Sequence, residues 1–220
     1  MMSLLNGNSM ISGAAARVFV VDDDPKILRI IADVLDGDGW TVETYTRASD
    51  FLDAYRPGVC QCVLLDIQMP GLSGLDLQKE LQARQIDIPV VVLSATVDIP
   101  TAVEIMKRGA MDVLQKPFDS DELIQVVRKA LARDAKTARD RTQREEIRER
   151  MGKLTPRERD VMELVVAGKA NKQIARELKV SERTVEIHRG RVMKKMHADS
   201  VADLVRLSAI GVNAGSNPSR

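Results

Sequence analysis

Three consecutive carboxylates, Asp22, Asp23 and Asp24, follow the apolar run "VFVV" at residues 18–21. Like charges this close repel one another, and burial at a strand end adds a desolvation cost unless a cation balances them. Three later apolar runs end in groups of complementary chemistry: Asp66 after "CVLL", Ser94 after "VVVL" and Lys116 after "DVLQ". Several carboxylates around a small cavity form a hard-oxygen site, suited to Mg²⁺ with retained waters rather than to Zn²⁺. A carboxylate in such a place can also accept a phosphoryl group as an acyl phosphate. The ion, a lysine and a hydroxyl then neutralise and hydrogen-bond its oxygens. Each residue has a plain structural use when taken singly: Asp66 as a turn cap, Ser94 as an N-cap, Lys116 on the surface. That use is strongest for Asp24, because Asp as N-cap before Pro25 at the first helical position is a favoured helix start. Asp22 and Asp23 are left for the ion.

These groups must be brought together by the elements that carry them. "RVFVV", "TVETY", "CVLLD", "IPVVVLS" and "DVLQ" read as strands, and the amphipathic stretches between and after them read as helices. Strict alternation of the two predicts an α/β fold with a doubly wound, five-stranded parallel sheet. In such sheets ligands sit beyond the carboxyl ends of the strands, where Asp22, Asp23, Asp66, Ser94 and Lys116 all fall.

The charge distribution divides the chain. Residues 17–132 hold 12 basic and 19 acidic side chains, a net of −7, whereas residues 133–220 hold 21 and 13, a net of +8. Two domains with different partners are expected, the second suited to nucleic acid. The predicted organisation is a disordered lead at 1–16, an α/β domain at 17–132 and a charged helical linker at 133–153. An all-α domain at 154–212 and a disordered tail at 213–220 complete it. No apolar run approaches the ~20 residues of a membrane helix. The lead lacks the basic and apolar regions of a signal peptide, so a cytoplasmic location with no membrane partner is expected. Cys60 and Cys62, two apart on a strand, are expected as buried thiols in a reducing compartment rather than a disulfide or metal site.

The basic half opens with a capping box, Thr155 as N-cap, Pro156 at the first helical position and Glu158 as reciprocal partner. Gly168 ends that helix. "NKQIAREL", a tight turn at "KVS" and the Ser181-capped "ERTVEIHRGRVMKKM" form a helix-turn-helix, which lays its second helix in the major groove. At 100° per residue, Val185, Val192 and Met196 share one face, flanked by His188 and Arg189. The opposite face carries Arg183, Ile187, Gly190, Arg191 and Lys194. With Thr184 in the first turn, this face is the expected DNA contact. A mid-helix glycine costs about 1 kcal/mol against alanine, and on the outer face it lets the backbone approach DNA. Lys172, Lys179 and Lys195 are expected at phosphates, and His188 as a half-buried structural residue.

"VVDDD", "VLLDIQMPGLSGLDL", "VVLSA" and "LQKPF" together resemble the receiver domain of two-component response regulators. The segment from Leu154 to about Val212 resembles the LuxR-type helix-turn-helix domain of the NarL/FixJ family. The first resemblance implies that Asp66 accepts phosphate from a sensor histidine kinase. It also implies that Asp23, Asp66 and the Gln68 carbonyl ligate Mg²⁺, with Asp22 acting largely through water. Ser94 and Lys116 bind the phosphoryl group, Lys116 preceding a cis Pro117, and "MPGLSG" turns the chain at Gly71 and Gly74. Val113 stands where the family often has an aromatic residue coupled to the hydroxyl, so a response by loop and helix movement is expected. The second resemblance implies a four-helix domain that dimerises through Val201, Leu204, Val205 and Ser208 and binds inverted-repeat promoter sites.

The expected function is a phosphorylation-activated DNA-binding transcriptional regulator that dimerises on phosphorylation and acts with the transcription machinery, not an enzyme. A phosphohydrolase with Asp66 as nucleophile typically carries a second Asp two residues on, where this chain has Gln68, which cannot serve as acid or base. A regulator with a vestigial acidic site is opposed by the intact set of Asp22, Asp23, Asp66, Ser94 and Lys116.

Overall fold

A computed structural model describes residues 16–96 and 98–212. The expected lead and tail, apart from Ala16, lie outside the described residues. The chain forms two compact units divided between Ala138 and Arg139.

In the first unit, β1 (Arg17–Val21), β2 (Thr41–Tyr45), β3 (Gln61–Asp66), β4 (Val90–Ser94) and β5 (Asp112–Gln115) form one sheet in the order β2-β1-β3-β4-β5. Every pairing is parallel. The helices α1 (Pro25–Asp36), α2 (Ala48–Ala54), α3 (Gly74–Ala83), α4 (Ile99–Lys107) and α5 (Ser120–Gly152) alternate with the strands. Both faces of the sheet are covered, which explains why the central strands read as unbroken apolar runs. Their side chains still alternate: Val18 and Val20 pack with α1 and α5, whereas Phe19 and Val21 pack with α2, α3 and α4. Strand order reverses between β1 and β3, so the loops after these two strands diverge and leave a crevice between them.

Asp24 caps α1 as expected, its carboxylate accepting from the Lys26 N–H at 2.8 Å. The stretch expected as a linker continues α5. Near its start Asp134 is buried and accepts from the Gln61 N–H at 2.9 Å, and toward its end Ile147 is buried in the core of the second unit.

That second unit comprises the end of α5 and α6 (Pro156–Val166), α7 (Asn171–Leu178), α8 (Glu182–Met196) and α9 (Val201–Val212). The capping box at Thr155 and Glu158 is formed, and Gly168 ends α6 with φ +80°. Val161, Ile174, Val185, Val192, Met196 and Leu204 fill the core. In this core the apolar side of α8 is used up, leaving its basic side outward.

Candidate functional site

At the carboxyl edge of the sheet, β1 delivers Asp22 and Asp23 and the adjacent β3 ends in Asp66. Carboxylate oxygens of all three lie within 4.8 Å of one another. Asp22 and Asp66 are buried, at 1% and 5% exposure, while Asp23 is open to solvent. The Lys116 ammonium bridges the two buried acids, donating to Asp22 Oδ2 at 2.5 Å and Asp66 Oδ1 at 2.7 Å. Asp22 Oδ1 accepts from the Asp24 N–H at 2.9 Å, so both its oxygens are engaged.

The electrostatics follow this packing. Burial pushes the Asp66 carboxyl above the ordinary range, against Lys116 and the Gln68 backbone N–H, which pull it down. For Lys116 burial works downward, but hydrogen bonds and charge from both aspartates outweigh it and raise its pKa. A lysine so held is a fixed positive charge facing the acceptor carboxylate.

Neighbouring strands supply the rest. Ser94 ends β4, is buried, and donates to the Thr96 carbonyl at 2.8 Å. The Lys116 N–H donates to the Ser94 carbonyl at 2.8 Å, and the Lys116–Pro117 bond is cis, as expected. The turn after Asp66 uses its two glycines differently. Gly71 has φ +82° and needs the conformational freedom. Gly74 needs space, because a Cβ there would stand 2.2 Å from the Asp66 carbonyl oxygen. Val113 lies half-buried against the α2–α3–α4 side of the core.

Three hard carboxylates converging on one edge of a crevice are a donor set that fits Mg²⁺. Zn²⁺ would favour nitrogen or sulfur ligands, and the two thiols, Cys60 and Cys62, are buried elsewhere. Burial, then Asp134, pushes the Cys62 thiol far up, which makes it unreactive.

In the second unit the exposed side of α8 presents Arg183, Ile187, Gly190, Arg191 and Lys194, and Lys172 and Lys179 are also exposed. The Ile187 side chain is open to solvent although apolar, and the space around Gly190 is empty. Ser181 caps the helix, accepting from the Thr184 N–H, and its hydroxyl is 2.7 Å from the Thr184 hydroxyl, so Thr184 also serves the cap. His188 is half-buried, in keeping with its expected structural place.

Two expected contact sets are engaged within this unit. Lys195 donates to Glu158 at 2.6 Å and to the Lys153 carbonyl at 3.1 Å, tying α8 to the start of α6. Within the set expected at a dimer contact, Leu204 and Ser208 are buried in this unit's own core, while Val201 and Val205 remain exposed. The family resemblance implies all four together, but α9 turns Leu204 and Ser208 inward. One contact escaped the sequence. Arg189 donates to Asn171 Oδ1 at 2.7 Å and so fixes α8 against the start of α7. The Asn and Arg were visible, but nothing in their separation of 18 residues marked them as partners.

Comparison with known proteins matches residues 18–128 to the response regulator receiver domain, and residues 152–208 to the luxR family of bacterial regulatory proteins. The chain is 45% identical to the transcriptional regulatory protein FixJ of Azorhizobium caulinodans over 88% of its own length and 92% of that protein's. It is 42% identical to nodulation protein W of Bradyrhizobium diazoefficiens, over 90% and 88% of the two lengths. Among solved structures, the response regulator StyR superposes with a TM-score of 0.79 at 39% identity, covering 89% of this chain and 99% of that one. Full-length FixJ from B. japonicum gives 0.55 at 38%, covering 90% and 98%.

Proposed function

Because this chain belongs to the two-component response regulators that join a receiver to a LuxR-type DNA-binding domain, we propose that Asp66 is its phosphoryl acceptor. The donor is a phosphohistidine of a sensor histidine kinase. An Asp66 carboxylate oxygen attacks phosphorus, the N–P bond breaks, and the histidine leaves with its electron pair. Asp22, Asp23, Asp66 and the Gln68 carbonyl are the residues to hold Mg²⁺, which would neutralise charge on the phosphoryl oxygens.

Lys116 balances the new charge, about −1.5 to −2 at neutral pH. Its bond to Asp66 is exchanged for one to the phosphoryl group, while Asp22 keeps it aimed. Ser94 donates its hydroxyl to another phosphoryl oxygen, which requires it to release the Thr96 carbonyl. That exchange couples the state of Asp66 to the backbone after β4, the route by which a local charge biases a two-state domain. Gln68 offers no acid or base to activate water, so the acyl phosphate persists and the chain acts as a switch rather than a catalyst.

The output is promoter DNA. Residues 17–132 are the switching domain, 133–153 the connecting helix and 154–212 the reader. Arg183, Thr184, Ile187, Gly190, Arg191 and Lys194 face the major groove, and Lys172 and Lys179 the phosphates. Phosphorylation promotes a homodimer that engages two inverted half-sites, raising occupancy through effective concentration, and the bound dimer acts on the transcription machinery. A cytoplasmic location fits this work, and no helix among the described residues is long and apolar enough to cross a membrane.

The observation that carries this reading is the Lys116 ammonium held between Asp22 and Asp66 at the sheet's carboxyl edge. Its test is retention of acid-labile phosphate after incubation with acetyl phosphate and Mg²⁺. One stable phosphate per chain, abolished by Asp66→Asn, is expected. Continuous release of phosphate over many turnovers would indicate a hydrolase instead.

A further inference from the structure

The outward face of α8 carries an acid among its cations. Glu186 is exposed one turn after Arg183 and next to the exposed Ile187. It stands one turn before Gly190, around which the space is empty, on the strip where the helix backbone is most open to a close approach. The contact between Glu186 and Arg183 is 3.5 Å, with side-chain exposures of 53% and 83%. An exposed pair of this kind is weak and holds neither partner in place. Near DNA, a carboxylate is repelled by phosphates. That cost is offset only if the carboxylate meets a hydrogen-bond donor on a base edge.

The major groove offers two such donors, the exocyclic amines of cytosine and adenine. Beside the adenine amine lies the N7 acceptor, whose lone pair would oppose the second carboxylate oxygen. The cytosine N4 amine has no acceptor of its own base next to it. Resting on the DNA-binding reading above, we propose that Glu186 is a specificity residue whose carboxylate accepts from the N4 amine of one cytosine in each half-site. The face then combines a positive field, which binds any duplex, with one negative group that rejects most bases at a single position.

Selection from randomised duplexes tests this with the full chain treated with acetyl phosphate and Mg²⁺. Wild-type protein should recover sites with a cytosine at one position per half-site. Glu186→Ala should lose that preference by about fivefold to about a hundredfold, leaving the other positions as they were. Glu186→Gln, with a donor and an acceptor matched to adenine N7 and N6, should shift the same position to adenine. An unchanged consensus with uniformly tighter binding in both variants would overturn the inference and make Glu186 a surface acid. If wild-type protein selects no sequence at all, the DNA-binding reading beneath it fails instead.

Discussion

The Lys116 ammonium lies 2.7 Å from the Asp66 carboxylate, and the same ammonium reaches Asp22 at 2.5 Å. One side chain therefore offsets two buried negative charges that would otherwise repel across the β1–β3 crevice. Removing one partner of a buried ion pair leaves the other charge uncompensated and costs about 3–5 kcal/mol. Lys116→Met should lower the stability of the receiver by an amount of that order, read from urea unfolding. Added Mg²⁺ should stabilise the variant more than it does the wild type, because the ion takes over part of the lysine's work. Equal unfolding midpoints for the two proteins would remove this account of how the acids are tolerated.

The two glycines after Asp66 should fail differently. At Gly71 an alanine meets only the left-handed backbone penalty, about 1–2 kcal/mol, with nothing crowding it. At Gly74 the added methyl group would overlap the carbonyl of the acceptor itself, so the Asp66 backbone must shift. Gly74→Ala should reduce labelling by acetyl phosphate at least tenfold, whereas Gly71→Ala should keep labelling near wild type. Phosphate incorporation per folded protein distinguishes them.

Much of this arrangement was legible in the residues. Apolar runs ending in Asp22, Asp66, Ser94 and Lys116 imply a shared edge once the strands are parallel, since every strand then ends on the same side. The helix-turn-helix was legible because its caps, Thr155 and Ser181, and its turn lie within a few residues of one another. The unreadable part was long-range and side-chain specific. Lys195 looked like any exposed cation on a basic helix, and only packing brings it to Glu158, 37 positions away. The family resemblance implies Leu204 and Val205 on one contact, but adjacent residues lie 100° apart, enough to put one in the core and the other in solvent. The steric demand at Gly74 likewise depends on a loop returning to its own strand end.

That division of α9 gives a separable pair of variants. Leu204 is fully buried, so Leu204→Ala should destabilise the DNA-binding unit by about 2–5 kcal/mol. Val205 is exposed, and Val205→Arg should leave the thermal unfolding midpoint nearly unchanged. If α9 forms the dimer contact through its exposed residues, Val205→Arg should nonetheless lower the dimer fraction of the phosphorylated protein at least tenfold. Sedimentation after acetyl phosphate treatment measures this.

Acid should loosen the helix-turn-helix unit through Glu158. This side chain is nearly solvent-free and accepts from the Lys195 ammonium and the Thr155 N–H, interactions that hold its carboxyl down at about 2. In the unfolded chain the same carboxyl titrates near its ordinary value of 4.5. Between these values the unfolded state binds the extra proton, so falling pH favours unfolding. The contribution is therefore fully present above about pH 5 and is lost as pH drops from there toward 2. Glu158→Gln keeps a side chain able to complete the capping box but removes the negative charge that faces Lys195. It should cost about 1 kcal/mol at pH 7, a modest figure because Lys195 is partly in water. The gap between wild type and Glu158→Gln, followed by denaturant unfolding, should hold from pH 7 to about pH 5 and narrow from there to pH 3. A gap that stays constant across that range would mean that the charge is not what stabilises the joint between α6 and α8.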